Sequence, residues 1–347
     1  MGILRFLLAL SVIASHATGI GIPFPGEKPY PMWAMQLIDG RQAVALFFII
    51  SGFYMAMVLN TKYQNNTLRF YGNRFLRLWP TYIVVLILAC TFTDLGTNIL
   101  NAVKDCGLSV KAYVWLSNIF IFGTDSFWLL SLDNCDLHYY PAFLNDTSNG
   151  YRLLVNQPSF SISMEMVFYL MAPFILKSLK RIWIYFVIGV LYYFYFILSG
   201  HFNIIYQYHL LPSSFIYFAL GALAWHYSKN INFELTDKKV ILVFLVCLAL
   251  MFSYTLFPMI IILPFAIMVP KLFSITKHSK ADRLIGELSY PLYIVHYPVL
   301  YYLWGQGVAG NHIGLYCFLA TLVISVIIHF IIERPIDLWR QKLALGS

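Results

Sequence analysis

The sequence predicts an all-α membrane protein, a polytopic bundle of about ten transmembrane helices with both termini cytoplasmic. Three observations carry this. Of the 347 residues, 60% are hydrophobic and only 11% charged, whereas a soluble globular chain carries roughly 25% charged residues. Mean hydropathy is +0.72. The apolar residues fall into stretches close to the roughly 20 residues that span a hydrocarbon core. The same composition excludes a disordered chain, a small disulfide scaffold and a nucleic-acid binder. The partner it implies is membrane lipid, and the net charge of +8 reads as loop charge that orients the chain.

In chain order the stretches are 3–20, 42–60, 78–96, 160–176, 182–200, 208–227, 239–254, 256–272, 286–305 and 313–333. A further stretch, 112–123, is apolar but short. With 112–123 not crossing and the N-terminus inside, 18 of the 23 Lys and Arg residues fall on the inner side. If it crosses, the count inverts, or the Arg69/Arg74/Arg77 cluster is stranded outside. The positive-inside rule therefore favours ten spans, with 112–123 a re-entrant or outer-surface helix. Residues 97–158 then form one long outer segment, too long for a plain connection. The first stretch contains Arg5 and His16 and no small-residue cleavage pattern, so it reads as a retained helix rather than a signal peptide. A single domain over 1–347 is expected, with no appended soluble domain.

Polar groups inside spans are costly and become functional candidates on that ground. Arg5 and His16 are eleven residues apart, about three helical turns, so they share one face about 16 Å apart. By spacing alone, a snorkelling anchor and an interfacial histidine account for them equally well. Ser51 and Gly52, in Phe47-Phe-Ile-Ile-Ser-Gly52, permit close helix approach. Arg74 and Arg77, at i and i+3, lie on one face and can hold a phosphate; plain positive-inside charge is the bland alternative. Glu165 is a carboxylate within an apolar span and must be paired or protonated. Tyr293 and His296 lie three apart on one face. His329 has no evident role, and Glu333-Arg334 reads as a terminal ion pair. The histidines and cysteines are scattered, without metal-ligand spacing, so no metal and no bound cofactor are expected. Cys106 and Cys135 both fall in the outer segment, where an oxidising compartment would permit a disulfide; two free cysteines are the alternative.

Taken together, these residues resemble the acyltransferase-3 family, bacterial integral-membrane O-acyltransferases of surface sugars. Arg5 and His16 match its Arg-x10-His motif, and Phe47 to Gly52 matches Phe-Phe-x-x-Ser-Gly. Arg74-Phe-Leu-Arg77 matches Arg-x-x-Arg. Ser161-Ile-Ser163-Met-Glu165 with Phe168-Tyr169-Leu170 is similar to the family's Ser-x-Ser-x-Glu-x-x-Phe-Tyr-Leu run. Ser289-Tyr290-x-Leu292-Tyr293-x-x-His296-x-Pro298 is similar to its penultimate-helix signature. The chain departs from the pattern at Phe160, where Trp is frequent, and at Met166, where a second Glu is common.

The resemblance implies an O-acyltransferase in the bacterial inner membrane, multi-pass, that modifies a lipopolysaccharide, capsule or similar surface glycan. Its donor would be acyl-coenzyme A, most simply acetyl-coenzyme A, as co-substrate, and its acceptor a hydroxyl of a surface or lipid-linked sugar. His16, Glu165 and Arg5 are the expected catalytic residues, with His16 as general base and Glu165 orienting it through a direct or single-water link. A covalent acyl-histidine route fits the residues equally well. Arg74 and Arg77 are expected to bind donor phosphates. Ser51, Ser163, Tyr293 and His296 are expected to line the substrate pocket. A transporter or flippase of a sugar-lipid would also need intramembrane His, Glu and Arg, and it stands as the alternative.

Overall fold

A computed structural model describes residues 1–17, 38–140, 148–200, 205–228, 259–308 and 313–345. Its helices are α1 (Gly2–Ala17), α2 (Gly40–Thr61), α3 (Thr67–Phe92), α4 (Leu95–Val103), α5 (Leu108–Phe120), α6 (Ser159–Ile175), α7 (Leu179–Leu198), α8 (Phe215–Ser228), α9 (Met259–Thr276), α10 (Lys280–Glu287), α11 (Ser289–Gly305), α12 (Ile313–Ile328) and α13 (Arg334–Leu345). The expected span 239–254 and the start of the next lie outside the described residues. Each other expected stretch overlaps a described helix. Among the described residues, four helical segments are long and apolar enough to cross a membrane: Gly40–Thr61, Thr67–Phe92, Leu179–Leu198 and Ile313–Arg340. Their outward faces carry large apolar side chains such as Leu191, Phe194 and Val323, the surface a lipid-facing helix presents. This is an all-α membrane protein.

α3 starts well before the expected 78. Asn66 caps it by accepting from the Arg69 amide at 3.0 Å, so the helix runs through a polar first stretch that an apolarity criterion passes over. Arg74 and Arg77 thus stand inside the helix, and Arg74 is buried. The first helix is fixed differently. Its opening amides at Gly2 and Ile3 donate to the Asp282 carboxylate on α10, at 2.7 and 2.9 Å. Gly2 and Gly286 let the two helices touch there. A Cβ at Gly286 would sit 2.4 Å from the Gly2 Cα and 2.9 Å from Arg5 Nη2.

α2 and α8 cross on two glycines. A Cβ at Gly52 would lie 2.1 Å from the Phe218 carbonyl oxygen, and one at Gly221 would lie 1.9 Å from that of Ile49. The helices thus meet backbone to backbone, the approach that small residues permit in a bilayer.

Between α3 and α6 lies a compact, partly non-helical segment. α5 has 13 residues, about 20 Å of rise, too short for a core about 30 Å thick. Its buried Asn118 donates to the Leu153 carbonyl and accepts from the Val155 amide, both at 2.8 Å. Trp79 of α3 donates to the Ile119 carbonyl at 3.0 Å. A two-stranded antiparallel hairpin follows, β1 (Leu130–Asp133) against β2 (Asp136–Tyr139). Its turn residues Asn134 and Cys135 both have positive φ, 46° and 66°, as a two-residue hairpin turn of the mirror-image type requires. The hairpin is absent from the sequence reading, although Leu-Ser-Leu-Asp before the turn shows the period of two. Cys135 is disulfide-bonded to Cys106, with Cα atoms 4.9 Å apart, so the hairpin is tied to the end of α4.

Candidate active site

Between the helices lies a partly open cavity of about 260 Å³. Its polar lining comes from five helices: Arg5 of α1; Ser51 and Tyr54 of α2; Arg74 and Arg77 of α3; Ser161, Glu165 and Tyr169 of α6; and Ser289, Tyr290 and Tyr293 of α11. Apolar residues, among them Val44, Phe47, Met55 and Leu78, form the rest of the wall. Residues more than 280 positions apart in the chain thus face one space.

The three arginines set its character. Arg5 lies over the Tyr54 ring, 5.9 Å from its centroid, and Arg74 lies over Phe70 at the same distance. Arg74 Nη2 donates to Asn73 at 2.9 Å. The Nε atoms of Arg5 and Arg74 are buried without a hydrogen-bond acceptor among the described residues. A buried guanidinium N–H without an acceptor carries the full cost of desolvation, a cost that a bound anion or water beside it would offset.

Glu165 is the carboxylate among them. Ser51 Oγ donates to its Oε1 at 2.6 Å, and the Tyr169 hydroxyl donates to the same oxygen. Ser51 and Tyr169 lie 3.4 Å apart. Glu165 and Tyr169 are one helical turn apart, so α6 presents both to the same side. Tyr169 stands in the sequence's Phe-Tyr-Leu run but not among the expected pocket residues, although its i, i+4 spacing from Glu165 is legible.

The expected direct His16–Glu165 hydrogen bond is not made. Glu165 takes the two hydroxyls, and His16 takes another histidine. His16 Nδ1 lies 2.8 Å from His296 Nε2, and His296 Nδ1 lies 2.6 Å from the Tyr293 carbonyl oxygen. Among the described residues neither histidine lines the cavity, but the His296 ring lies 5.9 Å from that of Tyr293, which does. The Tyr293 hydroxyl shares a 2.7 Å hydrogen bond with Ser161.

Ser163 does not line the cavity either. It is fully buried, accepts from the Gly123 amide at 3.0 Å and donates to Asp125 at 2.8 Å, tethering the α5–β1 connection to α6. Residues two apart on a helix point about 200° from each other, so Ser161 and Ser163 cannot both face Glu165's side. Ser161 is the one that does. Arg5, expected among the catalytic residues, stands with Arg74 and Arg77.

A second polar cluster lies on α12's continuation. His329 Nδ1 lies 3.1 Å from Glu333 Oε2, and its Nε2 lies 3.6 Å from Glu287 Oε2. Thr81 donates to Glu333 Oε1 at 3.2 Å. Glu333 is therefore held by His329 and Thr81 rather than by Arg334, whose guanidinium lies over the Phe330 ring at 5.7 Å.

No curated protein and no solved structure matches the chain. A family model described as an acyltransferase domain matches residues 1–334, nearly the whole chain and every residue of the cavity. By that match the chain belongs to the acyltransferase-3 family of membrane acyltransferases.

Proposed function

We propose that the protein transfers an acyl group, acetyl in the simplest case, from acyl-coenzyme A to a hydroxyl of a surface or lipid-linked glycan. The observation that carries this reading is the arginine cavity. Arg5, Arg74 and Arg77 line one partly open cavity, and two of them hold buried N–H groups with no acceptor among the described residues. Coenzyme A carries a diphosphate and a further phosphate, and guanidinium forks suit such oxyanions. Its long thin arm would extend between α1 and α11 toward the histidines. His16 lies about 16 Å along α1 from Arg5.

In this reading the sugar hydroxyl oxygen attacks the thioester carbonyl carbon, and its proton passes to His16. The carbon–sulfur bond breaks, the acyl group stays on the sugar oxygen, and coenzyme A leaves as thiolate to be protonated. Glu165 offsets part of the arginine charge while Ser51 and Tyr169 hold its oxygen. The chain is read as ten spans in the bacterial inner membrane, with both termini and the arginine side cytoplasmic, where acyl-coenzyme A is available.

The test is acetyl-coenzyme A turnover by purified protein in detergent, with mass spectrometry of the acceptor glycan. Release of free coenzyme A together with a glycan heavier by one acetyl is the expected result. An intact donor in the presence of a full set of candidate acceptors would favour transport of a sugar-lipid instead.

A further inference from the structure

We propose that His296 is a positioning residue: it fixes His16 in the tautomer that leaves the His16 Nε2 lone pair free to act as base. The inference starts from an atom that has no choice. The Tyr293 carbonyl oxygen can only accept, so the nitrogen 2.6 Å from it, His296 Nδ1, carries a hydrogen. A neutral imidazole has one N–H, so His296 Nε2 is then a lone pair. The atom 2.8 Å from that lone pair, His16 Nδ1, must in turn donate. His16 is left with an unprotonated Nε2. Among the described residues Nε2 has no hydrogen-bond partner.

The ring geometry agrees. The two imidazoles are within 11° of parallel with centroids 4.9 Å apart. That separation exceeds the 2.8 Å N···N distance by about what two ring radii add, so the rings meet edge to edge along the hydrogen bond rather than face to face. The lone pair and the N–H therefore point at each other. His296 itself is 0% exposed, so it cannot touch a sugar directly. Only His16, which is partly exposed, can do so.

The arrangement also suits the charged state. When His16 Nε2 takes a proton, the imidazolium still donates from Nδ1 to the same His296 lone pair, and nothing has to turn. In a hydrolase triad a carboxylate does this work. Here a neutral imidazole, fixed by a main-chain carbonyl, does it without bringing another charge into the bilayer. Tautomer choice set by the bond the second nitrogen makes is the general behaviour of histidine.

This inference rests on the reading of His16 as base, but its test separates the two. The ¹⁵N magnetic-resonance spectrum of histidine-labelled protein in bilayers, with the His16 signals identified by their loss in His16→Gln, reads the tautomer without any turnover. The expected result is a protonated Nδ1 and an unprotonated Nε2 in the wild type, changing to a mixture of tautomers in His296→Phe. In turnover, His296→Phe should lose about 10²-fold in kcat with KM for acetyl-coenzyme A unchanged. His296→Gln, whose amide oxygen can accept from His16 Nδ1–H, should recover at least tenfold of that loss. A wild-type spectrum with His16 protonated on Nε2 would overturn the proposal. So would a Gln variant no better than Phe, or a change confined to acceptor KM. If His296→Phe does not fold, the wild-type spectrum and the Gln variant still decide it. A wild type that fails to transfer acetyl at all refutes the acyltransfer reading and leaves the tautomer measurement standing.

Discussion

The arginine cavity and the histidine pair are neighbouring parts of one bundle, and they are built on opposite principles. The cavity is open space walled by cations, two of whose buried N–H groups find no acceptor among the described residues. The histidine pair holds its own hydrogen bonds in series, at 2.8 and 2.6 Å, and His296 is wholly buried. A polar cluster that the protein leaves incomplete suits a bound anion, which would offset its desolvation cost. The histidine pair is already arranged, and His16 Nε2 is its one ring nitrogen without a partner among the described residues, the atom that would take the proton in the proposed reaction. In the proposed function, binding and chemistry are divided between two places that α1 joins, with Arg5 near one end and His16 near the other.

The division is broken most severely at His16. His16→Gln keeps a hydrogen-bonding side chain but has no base at neutral pH, so transfer should fall by at least 10²- to 10⁴-fold while the protein still folds and binds acetyl-coenzyme A. Calorimetric binding alongside turnover checks both halves, and loss of donor binding would place His16 in the donor site. Next comes the pair Arg74→Lys and Arg77→Lys together. The charge is kept but the planar fork is lost. About 1.5–3 kcal/mol per charged hydrogen bond is at stake, so KM for the donor should rise roughly 10- to 100-fold with a much smaller change in kcat. A double variant that binds donor like the wild type would reduce these arginines to topology charge.

A third variant acts on neither cluster directly. Gly52→Ala would place a Cβ 2.1 Å from the Phe218 carbonyl oxygen, forcing α2 off α8. Overpacking of this kind costs about 1–3 kcal/mol, and thermal unfolding in detergent should register it. Because Ser51 moves with the helix, transfer should drop as well. An Ala variant with wild-type melting would show that the crossing yields easily.

The smallest effect is expected at Asp125, in the outer segment. Burial holds its carboxyl above the ordinary value of 3.8, with the Ser163 hydroxyl and nearby backbone amides pulling it partly back. A carboxyl raised in the fold binds its proton more tightly there than in the unfolded chain. Its contribution is therefore best below about pH 3.8 and declines as pH rises through the raised value. Asp125→Asn should remove that decline. Relative to the wild type it should be more stable at neutral pH and lose the advantage under acid, as unfolding at two pH values would show. A variant less stable at neutral pH would mean that the ionised carboxylate is needed for the Ser163 tether.

Much of this site is legible in the sequence because the bilayer makes polar residues conspicuous. Arg5, His16, Ser51, Arg74, Arg77, Glu165, Tyr293 and His296 all stand out against apolar spans, and all fall in the cavity or beside it. Their pairing is another matter. A rise of 1.5 Å per residue gives depth along a helix, and it puts His16, Glu165 and His296 in one layer. It says nothing of how each helix is rotated toward its neighbours, and rotation gives Glu165 to Ser51 and His16 to His296. Where rotation within one helix was enough, the sequence could have decided. Ser161, Glu165 and Tyr169 recur every four residues on one face, and Ser163 does not. The hairpin is obscured because its strands are only four residues each, too short for an alternating pattern to stand out.

The Cys106–Cys135 bond bears on a matter unrelated to stability. Disulfides persist where the surroundings are oxidising and are lost where glutathione keeps thiols reduced. The bond therefore serves as a label for sidedness, written into the chain itself. With the hairpin facing the periplasm, a reductant that cannot cross the inner membrane should open it in spheroplasts, and a thiol-reactive mass tag should then mark both cysteines. The buried Cys317 would remain unmarked under the same treatment, giving each preparation its own internal reference for which way the protein stands.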